Sequence, residues 1–225
     1  LIGFGAKAGL LPLHIWLPEA HPAAPSPVSA LMSGIMLKTA AYGMIRIGFD
    51  LLHVQYRWWG MLLVVLGICA ALFGVVFAAI QSDMKRLLAY SSIENMGLIF
   101  IGIGLALIFE RSNMWTFAAL ALSAALCHCL NHAFFKSLLF LGTGSVLHAT
   151  HERNLSKLGG LIHLMPWVAW ICLIGALASA GLPPFNGFIS EWLLLQSFLF
   201  TSAIPDSYLN MLLPVLAAAI VLVAA

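Results

Sequence analysis

The chain has 225 residues, 62% of them apolar and 8% charged, with a mean hydropathy of +1.02. A soluble domain carries about 45–50% apolar and about 25% charged residues, so this chain lacks the polar side chains to cover itself in water and is expected to lie in a membrane. A formal charge of +2, with no dense run of Lys or Arg, excludes a nucleic-acid footprint, and four cysteines without CxxC spacing signal neither a disulfide framework nor an iron–sulfur site.

A hydrocarbon core of about 30 Å takes about 20 apolar residues of helix. On that ruler the apolar runs fall at 1–16, 28–48, 59–80, 87–109, 115–147, 164–200 and 209–225. The first is interrupted at Pro12. The run 164–200 exceeds one span and contains Gly181-Leu182-Pro183-Pro184-Phe185-Asn186-Gly187, where proline removes a backbone donor, so a broken helix is expected there. The sequence opens on Leu1 without a charged leader and closes inside an apolar run shorter than a span, which predicts a fragment cut at both ends. The fold class expected is all-α: a polytopic transmembrane helix bundle with discontinuous helices, forming one domain over 1–225.

Short connections hold most of the charge: Glu19 and His21; Asp50, His53 and Arg57; Asp83, Lys85 and Arg86; Glu110 and Arg111; Glu152, Arg153 and Lys157. Strict alternation of spans gathers Lys85, Arg86, Arg153 and Lys157 on one side and Arg46, Arg57 and Arg111 on the other. The excess of positive charge makes the first side cytoplasmic. The segment Ala8-Gly9-Leu10-Leu11-Pro12-Leu13 is echoed by Ala180-Gly181-Leu182-Pro183-Pro184-Phe185, each near an ionisable residue, Lys7 and Glu191. Paired broken helices in two parts of a chain point to an ion or substrate site in transporters.

Five ionisable residues fall inside the predicted spans: Lys7, Lys38, Glu94, Lys136 and Glu191, with His128 and His132 beside Lys136. A Lys or Asp at a helix centre costs on the order of 2.5–3.5 kcal/mol on insertion scales, so these charges call for a use. Snorkelling, or pairing to fix helix packing, is the alternative for each. His128, His132 and Lys136 stand at i, i+4 and i+8 and so share one helix face over about 12 Å. Histidine titrates near neutral pH, so with a water between successive groups the face is a proton wire. Other readings of this face are interhelical hydrogen bonds, zinc and haem. For zinc no HExxH glutamate intervenes and Cys127 and Cys129 point to other faces, while haem needs ligands from facing helices, so no metal is expected.

Several motifs resemble those of one family. Gly5 to Ala20, Pro25 to Leu31 and Leu37-Lys38-Thr39-Ala40-Ala41-Tyr42-Gly43 are similar to segments of the antiporter-like proton-translocating subunits. That family is shared by respiratory complex I, Mrp-type cation/proton antiporters and membrane-bound hydrogenases. Asp83 to Ser92 resembles its helix-opening signature, and His132-Ala133-Phe134-Phe135-Lys136 its central histidine/lysine helix. Three further segments, 21–25, 92–97 and 182–192, are most similar to the branch of hydrogenase-4 component B and formate hydrogenlyase subunit 3.

The resemblance implies two inverted helical repeats, with 1–49 closing the first and 59–225 forming the second. It matches Lys7 to the lysine of the first broken helix, Lys38 to that of the next helix, Lys136 to the central lysine and Glu191 to the ionisable residue of the second broken helix. Glu94 joins the row less directly. The glutamate that partners Lys7 in the family lies outside this sequence, and Glu191 is an acid where some relatives have lysine.

The function expected from these residues and this resemblance is that of a proton-translocating membrane subunit of an electron-transfer complex, either of hydrogenase-4/formate hydrogenlyase or NADH-quinone oxidoreductase type. No redox active site is expected in the chain; nickel–iron, iron–sulfur or flavin centres are expected in partner subunits only. The partners expected are lipid, other membrane subunits and a peripheral hydrogenase or dehydrogenase arm, in a bacterial or archaeal cytoplasmic membrane. The alternatives are an Mrp-type Na+(K+)/H+ antiporter subunit without a redox partner, and a non-conducting scaffold.

Overall fold

A computed structural model describes residues 2–51 and 57–204. The expected span 209–225 and His53 lie outside the described residues. Four helices are long and apolar enough to cross a membrane: Ser26–Leu51, Trp58–Ala79, Met84–Arg111 and Trp115–Thr150. Among the described residues the only strand-like pairing is a single bridge between Asp83 and Asn154.

The run 1–16 is divided. Helix α1 (Ile2–Ala8) ends at Gly9, the chain turns through Leu11–Pro12, and α2 (Trp16–Ala23) begins beyond it, the Trp16 indole bonding back to the Ala6 carbonyl at 2.7 Å. Glu19 and His21, expected in a connection, stand on α2, and His21 is fully buried with its ring stacked on Phe140.

Next come α3 (Ser26–Leu31) and α4 (Leu37–Ile45), joined by a π-helical turn at Met32–Met36 and followed by another at Arg46–Leu51. Arg46 thus lies within this long helix, paired with Asp50 one turn on. Helices α5 (Arg57–Ala79) and α6 (Met84–Arg111) form the central antiparallel pair. Gly60 and Gly67 on α5 face Gly104 and Gly97 on α6, and a Cβ on Gly60 or Gly67 would come within 2.7 Å of the opposing glycine carbonyl. Small residues at seven-residue spacing let the two backbones meet, which is how helices gain packing energy where lipid removes the hydrophobic drive.

The longest helix is α7 (Trp115–Thr150), running unbroken across α6. After a clasp at 151–160 and the short α8 (Leu161–Leu164) come α9 (Pro166–Ser179) and α10 (Asn186–Leu199). The break between α9 and α10 repeats the backbone course of the α1–α2 break. Gly9 and Gly181 are left-handed, with φ of +77° and +61°, and the Leu11–Pro12 and Pro183–Pro184 bonds are both cis. The sequence echo is therefore an echo of conformation.

One end of the bundle is fastened by polar contacts. Asp83 caps α6 by accepting the Lys85 and Arg86 amides at 2.8 and 3.2 Å, filling two of the free donors of the helix start. The Leu155 amide bonds the Ser82 carbonyl at 2.8 Å, Arg153 reaches Asp83 and the Pro22 carbonyl, Arg86 pairs with Glu19, and the Lys85 ammonium bonds the Ala24 carbonyl. Glu152 accepts from the Asn154 and Arg153 amides at 3.0 Å and pairs with Lys157, and these contacts hold its carboxyl below the ordinary value, the Asn154 bond first.

Candidate functional site

The buried face of α7 carries His128, His132 and Lys136, with exposures of 3%, 0% and 0%. Helix α7 faces α3 and α4 on one side, α6 in the centre and α10 on the other, so each of these groups meets polar atoms from a different helix.

Lys38 reaches in from α4. Its ammonium hydrogen-bonds His132 Nδ1 and donates to the Ser33 carbonyl at 2.6 Å, in the π-helical turn just before α4. A widened turn of this kind is a frequent device at functional sites. Ser33 and Ser92 hydroxyls meet at 2.8 Å, tying the same turn to α6.

Lys136 donates to Ser91 Oγ of α6 at 2.5 Å, and Glu94, half-buried one turn along α6, is its oppositely charged neighbour. Asn95, also on α6, donates to the Ser91 carbonyl at 2.8 Å and accepts from His128 Nε2 at 3.1 Å. The other ring nitrogen of His128 lies 3.0 Å from Ser190 Oγ on α10. The Asn131 amide donates to the Asn186 carbonyl at 2.7 Å and to Ser190 Oγ at 3.1 Å, binding α7 to the first turn of α10.

Glu191 follows Ser190 and folds back over the break. Its carboxylate occupies the space that a Cβ on Gly181 would take, and the next charge in its field is Glu94. One row thus runs from Lys38 through His132 and Lys136 to Glu94 and Glu191, with His128 bonded between α6 and α10. Two unit charges about 8 Å apart interact by about 2 kcal/mol at an effective dielectric near 20, so charge at one station is felt at the next.

Lys7 is the exception. It lies exposed in the last turn of α1, where the helix dipole favours a cation, and α1 packs on α4 without bringing the Lys7 side chain into the bonded row. Of the broken-helix residues, Pro12 lies in the first break, Gly181, Pro183 and Pro184 in the second, and Gly187 in the first turn of α10, its Cα against the Ala178 carbonyl.

Sequence reasoning missed Ser33, Ser91, Asn95, Asn131 and Ser190, which supply the hydrogen bonds. Their signal was polarity inside apolar helices. It also passed over His21, buried with both ring nitrogens unpartnered. Among the described residues no group of three or more His, Cys, Asp or Glu side chains is placed to hold a metal ion.

The family described as "NADH:quinone oxidoreductase/Mrp antiporter, TM" matches residues 1–220. This chain belongs to that family. It is 46% identical over 215 residues to hydrogenase-4 component B of Escherichia coli (strain K12), covering 95% of this chain and 32% of that protein. It is 42% identical over 198 residues to formate hydrogenlyase subunit 3 of the same strain, covering 88% of this chain and 32% of that one. The chain spans about a third of the length of these curated relatives. In three dimensions it is similar to a chain in the structure of the Mrp complex from Dietzia sp. DQ12-45-1b, with a TM-score of 0.81 and 28% identity over 99% of this chain and 39% of that one. It is an antiporter-like integral membrane chain, and these relatives are components of larger assemblies.

Proposed function

We propose that the chain is the central part of a proton-translocating membrane subunit in an electron-transfer complex of hydrogenase-4/formate hydrogenlyase type. The observation that carries this reading is the unbroken polar row inside an apolar bundle, with Lys38 bonded to His132 and Lys136 bonded to Ser91 within hydrogen-bond distance. Lys38, His132, Lys136, Glu94, His128 and Glu191 are its proton stations, and Lys7 is an outer station beside the α4 helix on which α1 packs. Protonation of one station biases its neighbour, so energy released in a partner reaches the row as a shift of charge.

Redox centres of nickel–iron, iron–sulfur or flavin type belong in this reading to partner subunits of a peripheral arm, and the membrane is a bacterial or archaeal cytoplasmic one. The matching backbone of the two breaks supports reading 1–49 and 59–225 as parts of two related repeats. The test is Lys136→Ala in the full-length subunit within its assembled complex. Redox-driven proton pumping is expected to fall to background while electron transfer persists; pumping at wild-type stoichiometry would remove α7 from the path.

The likeness to an Mrp complex supports a second reading, cation/proton exchange without a redox partner. It requires sodium- or potassium-dependent proton flux in everted vesicles with no electron donor, and flux indifferent to both cations would dismiss it.

A further inference from the structure

The hydrogen bonds around His128 allow only one arrangement of its protons in each charge state, and the two arrangements differ in where one hydroxyl points. His128, Asn95, Asn131 and Ser190 are all buried, with exposures of 3%, 2%, 8% and 0%, so their polar atoms must be satisfied by one another. The Asn95 amide nitrogen donates to the Ser91 carbonyl at 2.8 Å, which leaves its oxygen facing His128 Nε2 at 3.1 Å. Turning that amide over would set oxygen against oxygen. Nε2 therefore carries a hydrogen whether the ring is neutral or charged.

Everything then depends on Nδ1, 3.0 Å from Ser190 Oγ. That oxygen accepts from Asn131 at 3.1 Å and lies 3.0 Å from the Gly187 carbonyl. Ser190 has one hydrogen and two acceptors competing for it. With neutral His128, Nδ1 is bare and the Ser190 hydroxyl donates to it. With the imidazolium, Nδ1–H donates to Ser190 Oγ and the hydroxyl swings to the Gly187 carbonyl. Every donor and acceptor is satisfied in both states. The incoming proton stays on Nδ1, and no bond of Ser190 breaks.

The second acceptor lies at a mechanical joint. Gly187 stands in the first turn of α10 with its Cα against the Ala178 carbonyl at the end of α9, and Glu191 follows Ser190 directly. The charged and titratable groups around this switch are Lys38 on α4, Glu94 on α6, Glu191 on α10, and His132 and Lys136 on α7 itself.

We infer that Ser190 is a positioning residue, a hydroxyl rotor that reports the charge of His128 to the break between α9 and α10. The inference deepens the proposed function and rests on it in one respect, that His128 takes up a proton.

The test uses the full-length protein with ring-15N histidine in proteoliposomes, read by solid-state NMR, the His128 signal being the one lost in His128→Gln. Neutral His128 is expected as the Nε2–H tautomer. At a pH where wild-type His128 is partly charged, Ser190→Ala should lower its imidazolium-to-neutral ratio about tenfold, because a charged N–H that loses its acceptor suffers more than a bare nitrogen that loses a donor. Ser190→Thr should restore it. An Nδ1–H tautomer, a ratio unmoved by Ser190→Ala, or a ring neutral from pH 4 to pH 10 would each overturn the rotor. Proton flux measured in the same vesicles judges the proton-path reading separately: wild-type vesicles without flux but with the expected NMR behaviour would sink that reading and leave the rotor standing.

Discussion

At the scale of single residues, Gly181 shows how the second break serves a charged side chain. Its φ of +61° lies in the region that costs an L-residue about 1–2 kcal/mol, and its missing Cβ is the space in which the Glu191 carboxylate sits. Gly181→Ala therefore meets both a backbone strain and a collision. Proton flux should fall to the level of Glu191→Gln, and the double variant should be no worse than Glu191→Gln alone, since both act on one group. Stability in detergent should drop by about 1–2 kcal/mol, measured by denaturant titration. A Gly181→Ala protein with wild-type flux would show that Glu191 works from elsewhere. The sequence made Gly181 conspicuous through its prolines, but the reason it must be glycine is visible only once Glu191 folds back onto it.

Among the elements, the α5–α6 pair and the clasp at 151–160 depend on opposite kinds of contact. The pair is held by backbone approach: the Cβ built on Gly67 lies 2.7 Å from the Gly97 carbonyl, with neighbouring backbone unable to yield as a side chain would. Gly67→Leu should destabilise the bundle by about 1–3 kcal/mol, as overpacking does in a close-packed interior, whereas Gly159→Leu in the open clasp should have little effect. Equal losses from the two substitutions would refute close approach as the cause.

The clasp is held instead by ionic and polar bonds around Glu152. Because the Asn154 amide, Lys157 and the Arg153 amide hold the Glu152 carboxyl below its ordinary value, the stabilisation is present at neutral pH and is lost as pH falls through the lowered folded value. Amide exchange at 152–157, corrected for its intrinsic pH dependence, should rise below about pH 4 in the wild type and stay constant in Glu152→Gln. The apolar spans, the two breaks and the opening of α6 at Asp83 were all legible in the sequence, because hydropathy, proline and an N-cap act locally. The burial of His21 and the course of 17–23 as a helix were not, since they depend on Phe140, more than a hundred residues away.

For the whole molecule, the arrangement of charge fixes which way the bundle faces. Lys85, Arg86, Arg153 and Lys157 all gather at the clasp end, where three acids pair with Arg86, Arg153 and Lys157 while Lys85 bonds a carbonyl. The turn at 112–114 is at the far end of α6, about 40 Å away by the rise of a helix of 28 residues. The count of basic residues at the two ends was legible in the sequence. That the row of Lys38, His132 and Lys136 is bonded end to end was not, because its serines and asparagines each look like tolerated polar residues until helices far apart in sequence are brought face to face.

Positive charge is retained on the cytoplasmic side, so the clasp is expected there and the 112–114 turn outside. With Cys69, Cys127, Cys129 and Cys172 replaced by alanine, a single cysteine at the exposed Ser156 should react with a membrane-impermeant maleimide only in everted vesicles, and one at the exposed Asn113 only in intact cells. The reverse pattern would invert the bundle and place the Glu191 break on the opposite side of the proton gradient. Labelling of both positions from one side would mean that α6 and α7 do not each cross the membrane, and the buried row could not connect its two faces.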